Sequence, residues 1–342
     1  MQSDTAHPVT DPMPLNLFQR LVLQWDRLHP YNAAQVLKLS GPARSGDLSA
    51  AWQETLGTLG LGRVHVNGQH FRHQSLNGEL QRYPVRELSP GSCLCDFISE
   101  QLNRPFDDVH EPPFRPFVVD QGDHHYAGIV YHHWIADSVS IRILLREWFL
   151  RLHRPELART VPLRHPHGGY WSIFGPQQTN WALAEGFLSS VRWSSRNRRV
   201  ARVEHPGYTD FNCRFALHEV GGGLIEPLLG FARRNGATLN DLFLAVVAEV
   251  CRQFVPIRRT PRRTDLALGT IVDLRPYARQ DLSDTFGLFL GFTSTLCRPE
   301  DLADFSRLVK TIAAQSRLQK KTGVPLSSPV RMLAGLAMGR FL

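Results

Sequence analysis

The chain of 342 residues has no apolar run near the roughly 18 residues that a membrane-spanning helix needs. Its first residues, "MQSDTAHPVTDPMP", carry neither a basic start nor an apolar stretch, so no secretory leader is expected there. Cysteine is scarce and scattered: Cys93, Cys95, Cys213, Cys251 and Cys297, with no C-x-x-C pair. That argues against a disulfide framework or a zinc ribbon and fits a reducing cytoplasmic setting. A helical H-E-x-x-H is also absent. Adjacent histidines on a strand point to opposite faces, so His124-His125 and His132-His133 each offer one ligand to any ion, and no metal site is expected. Without a zinc-finger, RNP or helix-turn-helix signature, nucleic-acid binding is not expected either.

What is present is an ordinary globular composition, 42% hydrophobic and 20% charged, sufficient for a real core. The formal net charge is +8. Arginines gather in "RWSSRNRRVAR" (192–202) and "IRRTPRR" (257–263). Such clusters attract anions, among them CoA phosphates, an acidic carrier protein or anionic lipid, or they form a plain solvated surface.

Periodicity outlines the elements. Leu17, Leu21, Trp25 and Leu28 fall on one helical face, "AAQVLKLSG" reads as a strand, and 45–60 as a helix striped with Leu48, Trp52, Leu56 and Leu59. Asn67-Gly68 marks a hairpin. Ser92 is the expected cap of a short helix, and 115–133 gives two strands joined by a turn that takes in His124-His125. The next helix buries Ile141, Leu144, Leu145, Trp148 and Leu152. After a looser stretch with one helix near 180–195, the second half reads as a strand in "CRFALHEV", a helix over 222–235 and a helix over 238–254. That last helix is apolar on nearly every side and is expected to be buried. A strand at 265–275 and a helix at 304–323 follow. Phe286–Gly291 reads as a tight turn. The expected division is a tail at 1–14, a lobe at 15–160, a connection at 161–210 and a second lobe at 211–342. Mixed helices and strands in two halves indicate a two-lobed α/β protein with mixed sheets.

The segment "VYHHWIADSVS" delivers His132 and His133 from the end of a strand to the start of a helix. "HHWIADS" resembles the HHxxxDG motif of the CoA-dependent acyltransferase and condensation-domain superfamily, which includes peptide-synthetase condensation domains and wax ester synthases. "RPFDDVHEPPFRPFVV", "ATLNDLFLAVVAEV", "VDLRP" and "FGLFLG" resemble further segments of that superfamily in the same order, over about 15–320. The resemblance implies a chloramphenicol-acetyltransferase-like fold with a tunnel at the lobe interface. It implies an acyltransferase that moves an acyl group from a CoA or acyl-carrier-protein thioester to an alcohol or amine acceptor, with no metal or prosthetic group.

On that resemblance His133 is the general base, and Asp137 holds the loop through an ion pair with Arg275. His132 supports the site and faces away from the tunnel. Ser138 stands where the family has glycine, either narrowing the tunnel or capping the helix. Trp134, Thr238, Asn240 and Gly287 are tunnel candidates, with helix capping as the plainer use of Thr238 and Asn240. Read from the residues alone, His133 is equally a hydrogen-bonded histidine at a strand end and Asp137 a helix N-cap. Full members of the superfamily continue through further strands and helices beyond the helix at 304–320, so either a shortened member or a truncated gene product is expected. A non-catalytic condensation-like binding protein is the alternative reading. Peripheral membrane contact through "RMLAGLAMGRFL" (331–342) is a third.

Overall fold

The computed structural model describes residues 11–41, 45–74, 83–108, 110–166, 170–204, 210–258, 260–328 and 330–331. It divides into two compact units. The first comprises Met1–Ile173, Phe211–Leu217 and Ala278–Phe289, the second Phe174–Asp210, His218–Tyr277 and Leu290–Leu342. The second half is therefore not one continuous lobe from 211 onward, because two of its segments return to the first unit.

In the first unit the elements run β1 (Met13–Pro14), α1 (Leu17–Asp26), β2 (Asn32–Ser40), α2 (Ser45–Leu59), β3 (Arg63–Asn67), β4 (His70–Gln74), β5 (Arg86–Leu88), α3 (Leu94–Asn103), β6 (Phe114–Asp120), β7 (His124–His132), α4 (Ser138–His153) and α5 (Tyr170–Phe174). One sheet has the order β2-β7-β6-β5 and a smaller one β1-β4-β3. The expected tail thus ends early. Residues 1–10 lie outside the described residues, but Met13 pairs with Phe71 of β4 and is buried. Pro14 sits on the edge strand of its sheet, where a missing N–H costs no ladder bond.

The strand β7 is the centre of the larger sheet, antiparallel to β2 and β6. Gly128 faces Val36 on one side and Phe117 on the other. A Cβ there would meet the Gln35 carbonyl at 2.6 Å and the Phe117 ring at 2.7 Å, so the close fit of these strands needs glycine. One cluster of the core joins Phe97 and Ile98 of α3 to Phe117, Val119 and Val130 of the sheet. Elsewhere in the unit α2 packs against α4, where Trp52 and Trp148 meet edge to face at 5.2 Å and the Trp148 indole N–H donates to the Leu48 carbonyl at 3.0 Å. The helix stripes read from the sequence account for both tryptophans.

Local departures have local causes. On α1 the buried side chains are Phe18, Gln19, Leu21 and Val22, while Leu28 lies beyond the helix and is exposed. An Asn16–Gln19 capping box starts that helix, and of the expected stripe Leu21 alone is fully buried. The N-cap of α3 is Cys93, not Ser92, and makes no side-chain capping bond. His124 and His125 open β7, opposite Ser40 and Leu39 of β2. The turn itself falls at Gln121–Asp123, where the Asp120 carboxylate accepts from the Gly122 N–H.

In the second unit the elements are α6 (Pro176–Asn197), β8 (Arg202–Val203), α7 (Ile225–Arg234), α8 (Leu239–Phe254), β9 (Ile257–Arg258), β10 (Leu266–Asp273), β11 (Leu290–Cys297), α9 (Pro299–Leu302) and α10 (Phe305–Lys321). The expected strand at 213–220 is irregular instead. The strands β10 and β11 pair antiparallel, and their core joins Leu242, Ala245 and Ala248 of α8 to Leu308, Val309 and Ile312 of α10. The amide of Gln319 both accepts from the Ser294 N–H and donates to the Ser294 carbonyl; Gln315 does the same at Leu296. These side chains take the place of a neighbouring strand along β11. Contrary to expectation, α8 is not buried all round, because Phe243, Val246, Val247, Val250 and Phe254 are exposed. The two arginine runs meet here, since β8 pairs with β9, Arg202 opposite Arg258.

Candidate active site

The site grows from the end of β7. Its last residue, His132, still follows the strand alternation, while His133 begins the turn into α4. Two neighbours in sequence therefore enter different surroundings.

His132 is 2% exposed. Its Nδ1 lies 3.0 Å from Asp108 Oδ1 and its Nε2 lies 3.1 Å from Asp26 Oδ1. The Phe106 ring stacks on it at 5.4 Å. Burial alone pulls the pKa of this imidazole down, but hydrogen bonding and charge from Asp108 and Asp26 together outweigh burial and raise it to about 9. The ring is thus an imidazolium near neutral pH. The Trp134 indole N–H also lies 3.0 Å from Nδ1, a contact that suits a neutral ring, and the two carboxylates decide for the charged form.

His133 is half-buried. Its Nδ1 lies 3.2 Å from the Ala136 carbonyl. A carbonyl only accepts, so Nδ1 carries the proton and Nε2 keeps its lone pair. Burial lowers the pKa of the ring, against opposing effects of the Ala136 carbonyl and the Asp137 charge. His133 is therefore a neutral imidazole with one free basic nitrogen. Its backbone N–H donates to the Tyr31 carbonyl at 3.1 Å, and the Tyr31 ring stacks on it at 5.7 Å.

Asp137 is fully buried. Its Oδ1 accepts from the Ser140 N–H and so caps α4. Its Oδ2 accepts from the Phe289 N–H at 2.9 Å, and its own N–H donates to the Gly287 carbonyl at 3.2 Å. Ser140 Oγ donates to the same Gly287 carbonyl at 2.8 Å and accepts from the Gly287 N–H at 3.0 Å. Gly287 thus lies against the start of α4, and a Cβ there would meet the Phe289 ring at 3.1 Å. The expected tight turn at Phe286–Gly291 divides between this anchoring segment and β11.

The remaining residues singled out in the sequence are divided between the two units. Ser138 is exposed at the first turn of α4. Trp134 is fully buried, edge-on to Phe71 at 5.4 Å, and its carbonyl accepts from Gln19. Thr238 forms a capping box with Asp241 at the start of α8, and Asn240 is exposed in that same first turn. Arg275, buried in the second unit, donates to Asp273 Oδ1 at 3.3 Å. Among the described residues no group of three or more His, Cys, Asp and Glu side chains is placed to hold a metal ion, and no helix is long and apolar enough to cross a membrane. Of "RMLAGLAMGRFL", all but Arg331 lies outside the described residues.

Sequence reasoning missed Asp26, Tyr31, Phe106 and Asp108. The last two stand in "RPFDDVH", whose position before the motif strands was the available signal. Asp26 and Tyr31 carried none, since only the fold brings the end of α1 to the end of β7.

No family model matches the chain. A linear gramicidin synthase of Brevibacillus parabrevis is 25% identical over 317 residues, 85% of this chain and 6% of that protein. Bacitracin synthase 2 of Bacillus licheniformis is 25% identical over 294 residues, 82% of this chain and 11% of that protein. The chain therefore spans only a small part of the length of these curated relatives. Among solved structures, the first condensation domain of the calcium-dependent antibiotic synthetase superposes with a TM-score of 0.71 at 16% identity, covering 92% of this chain and 76% of that one. The chain is similar to these peptide synthases over a part of their length. Its fold is the α/β condensation-domain fold with mixed sheets. Polyketide synthase associated protein 5 of Mycobacterium tuberculosis has the same fold, with a TM-score of 0.60 at 14% identity, covering 93% of this chain and 76% of that one.

Proposed function

We propose that this chain transfers an acyl group from a thioester to a hydroxyl or amine acceptor, with His133 as general base. The observation that carries the reading is the orientation of the His133 ring. Its Nδ1 is committed to the Ala136 carbonyl and its pKa is held down by burial, so Nε2 is unprotonated at neutral pH and able to take a proton. As the acceptor oxygen or nitrogen attacks the thioester carbonyl carbon, its proton passes to Nε2. The carbon–sulfur bond then breaks, and the proton goes on to the departing thiolate. General-base assistance of this kind contributes about 10²–10⁴-fold in rate.

Asp137 supports this chemistry without touching the acyl group, by capping α4 and fastening the turn to Gly287 and Phe289. His132, Arg275 and Ser138 are assigned supporting roles. The peptide-synthase relatives favour a carrier-protein thioester as donor, with acyl-CoA as the alternative carrier, and the arginines that β8 and β9 bring together suit either anionic partner.

Thioester turnover tests the reading. Purified protein receives acyl-CoA or acyl-carrier donors with alcohols and amines, and free thiol is followed beside a His133→Ala control. Acceptor-dependent release that disappears in the control is expected. Equal release from both proteins, or none from either with both donor types, overturns it. A binding role is the second reading, favoured by a structure of the same fold, the X-domain from teicoplanin biosynthesis in complex with OxyB (TM-score 0.56, 18% identity).

A further inference from the structure

We infer that Tyr31 is a positioning residue for His133, held in place by Asp26, which His132 anchors in turn. Four contacts carry this. The Asp26 carboxylate lies 3.1 Å from His132 Nε2, and the same Oδ1 accepts from the Tyr31 N–H at 2.7 Å. The Tyr31 carbonyl accepts from the His133 N–H at 3.1 Å, and the phenol ring stacks on the imidazole at 5.7 Å with 14° between planes. The chain of contacts leaves from one histidine of the pair and returns to the other by way of the α1–β2 connection.

Each link constrains a different freedom. The carbonyl fixes the His133 backbone at the point where β7 ends. The ring restricts rotation of the imidazole and covers one of its faces, and an offset stack at this spacing is favourable. Tyr131 meets the imidazole edge-on at 5.6 Å, so Tyr31 and Tyr131 together restrict it from two directions. Covering a face also excludes water, which disfavours the imidazolium. The titratable groups of the first unit that face His133 are Tyr31, Tyr131, His132 and Asp137, with Cys213 acting on Tyr31. Asp137 favours the charged ring, and His132 and burial disfavour it.

The inference rests on the reading of His133 as the base, and it is tested without turnover. The full chain is labelled at histidine 13Cε1, the His133 resonance is assigned, and its titration midpoint is compared in wild type, Tyr31→Phe and Tyr31→Ala. The wild-type midpoint is expected below the free-imidazole value of about 6.5. Tyr31→Ala should move it up towards that value, and Tyr31→Phe, which keeps the ring, should leave it in place. An unmoved midpoint in Tyr31→Ala overturns the inference, and so does a Tyr31→Phe shift as large as that of Tyr31→Ala. In the wild type, nuclear Overhauser contacts between the two rings are expected whether or not the alanine variant folds, and their absence also overturns it. If turnover fails but the midpoints behave as expected, the acyl-transfer reading falls and the positioning role stands. Turnover that depends on His133 with an unmoved midpoint gives the opposite result.

Discussion

The charge on His132 can be tested through the pH dependence of stability. Its pKa rises from 6.5 to about 9 on folding. At roughly 1.4 kcal/mol per unit, that shift corresponds to about 3 kcal/mol of stabilisation while the ring is protonated. The ring is 2% exposed, so solvent screening removes little of it. Below about pH 6.5 the imidazole is protonated in both folded and unfolded chains, and the contribution is fully present as long as Asp26 and Asp108 are ionised. Between 6.5 and 9 the unfolded ring gives up its proton and the folded one keeps it, so stability falls as pH rises; above 9 the contribution is gone. The assay is urea unfolding of wild type and His132→Gln at several pH values from 6 to 9, followed by tryptophan fluorescence. Trp25, Trp52, Trp134 and Trp148 all report on the first unit. The wild-type advantage over the variant should shrink by about 3 kcal/mol across that range. A difference that stays constant would refute the reasoning. It would mean that the ring is neutral, with Nδ1 accepting from the Trp134 indole.

Two other perturbations follow from the same geometry. Asp137→Ala removes the cap of α4 and leaves the buried Phe289 N–H without its acceptor, which should cost about 2–4 kcal/mol; a thermal midpoint within a degree of wild type would contradict this. His73 gives the opposite pH dependence to His132. It is buried, and burial with the nearby His165 holds its pKa down to about 3, so its contribution is present above about pH 6.5 and is lost as pH falls towards 3. A His73→Phe variant should show a shallower acid-side loss of stability between pH 6 and 4, and an unchanged slope would count against the assignment.

Periodic segments were the legible part of the fold. Trp52, Leu56, Leu144 and Trp148 lie in the core as their spacing requires, and Asn67-Gly68 makes its hairpin with Gly68 at φ +59°. The errors fall where a residue's environment is set by remote chain. Periodicity describes α8 as apolar on all sides, yet Leu242, Ala245 and Ala248 are buried in the core with Leu239 and Leu244 half-buried against it, while Phe243, Val246, Val247, Val250 and Phe254 stay exposed, because α7, α10 and β10 leave that face uncovered. "CRFALHEV" has strand-like composition but stays irregular. Its backbone is spent on side chains of α3: the Cys213 N–H donates to Asn103 and the Phe215 N–H to Ser99.

At the candidate site, the motif residues were legible and their electrostatics were not. His132 and His133 are the same residue type at consecutive positions, and the fold drives their pKa values in opposite directions. The sequence contains the reason only in part. Strand alternation separates the two rings, but the upward shift of His132 depends on Asp26 and Asp108, which lie outside β7, and the downward shift of His133 on burial, which the Ala136 carbonyl opposes. The separation suits a base that must stay neutral. A second charge next to His133 Nε2 would change its affinity for a proton, whereas a charge placed on the opposite side of the strand and neutralised by two carboxylates fixes the backbone of the site and acts on His133 only weakly. Asp26 joins the two functions, since the carboxylate that neutralises His132 also binds the residue that holds His133.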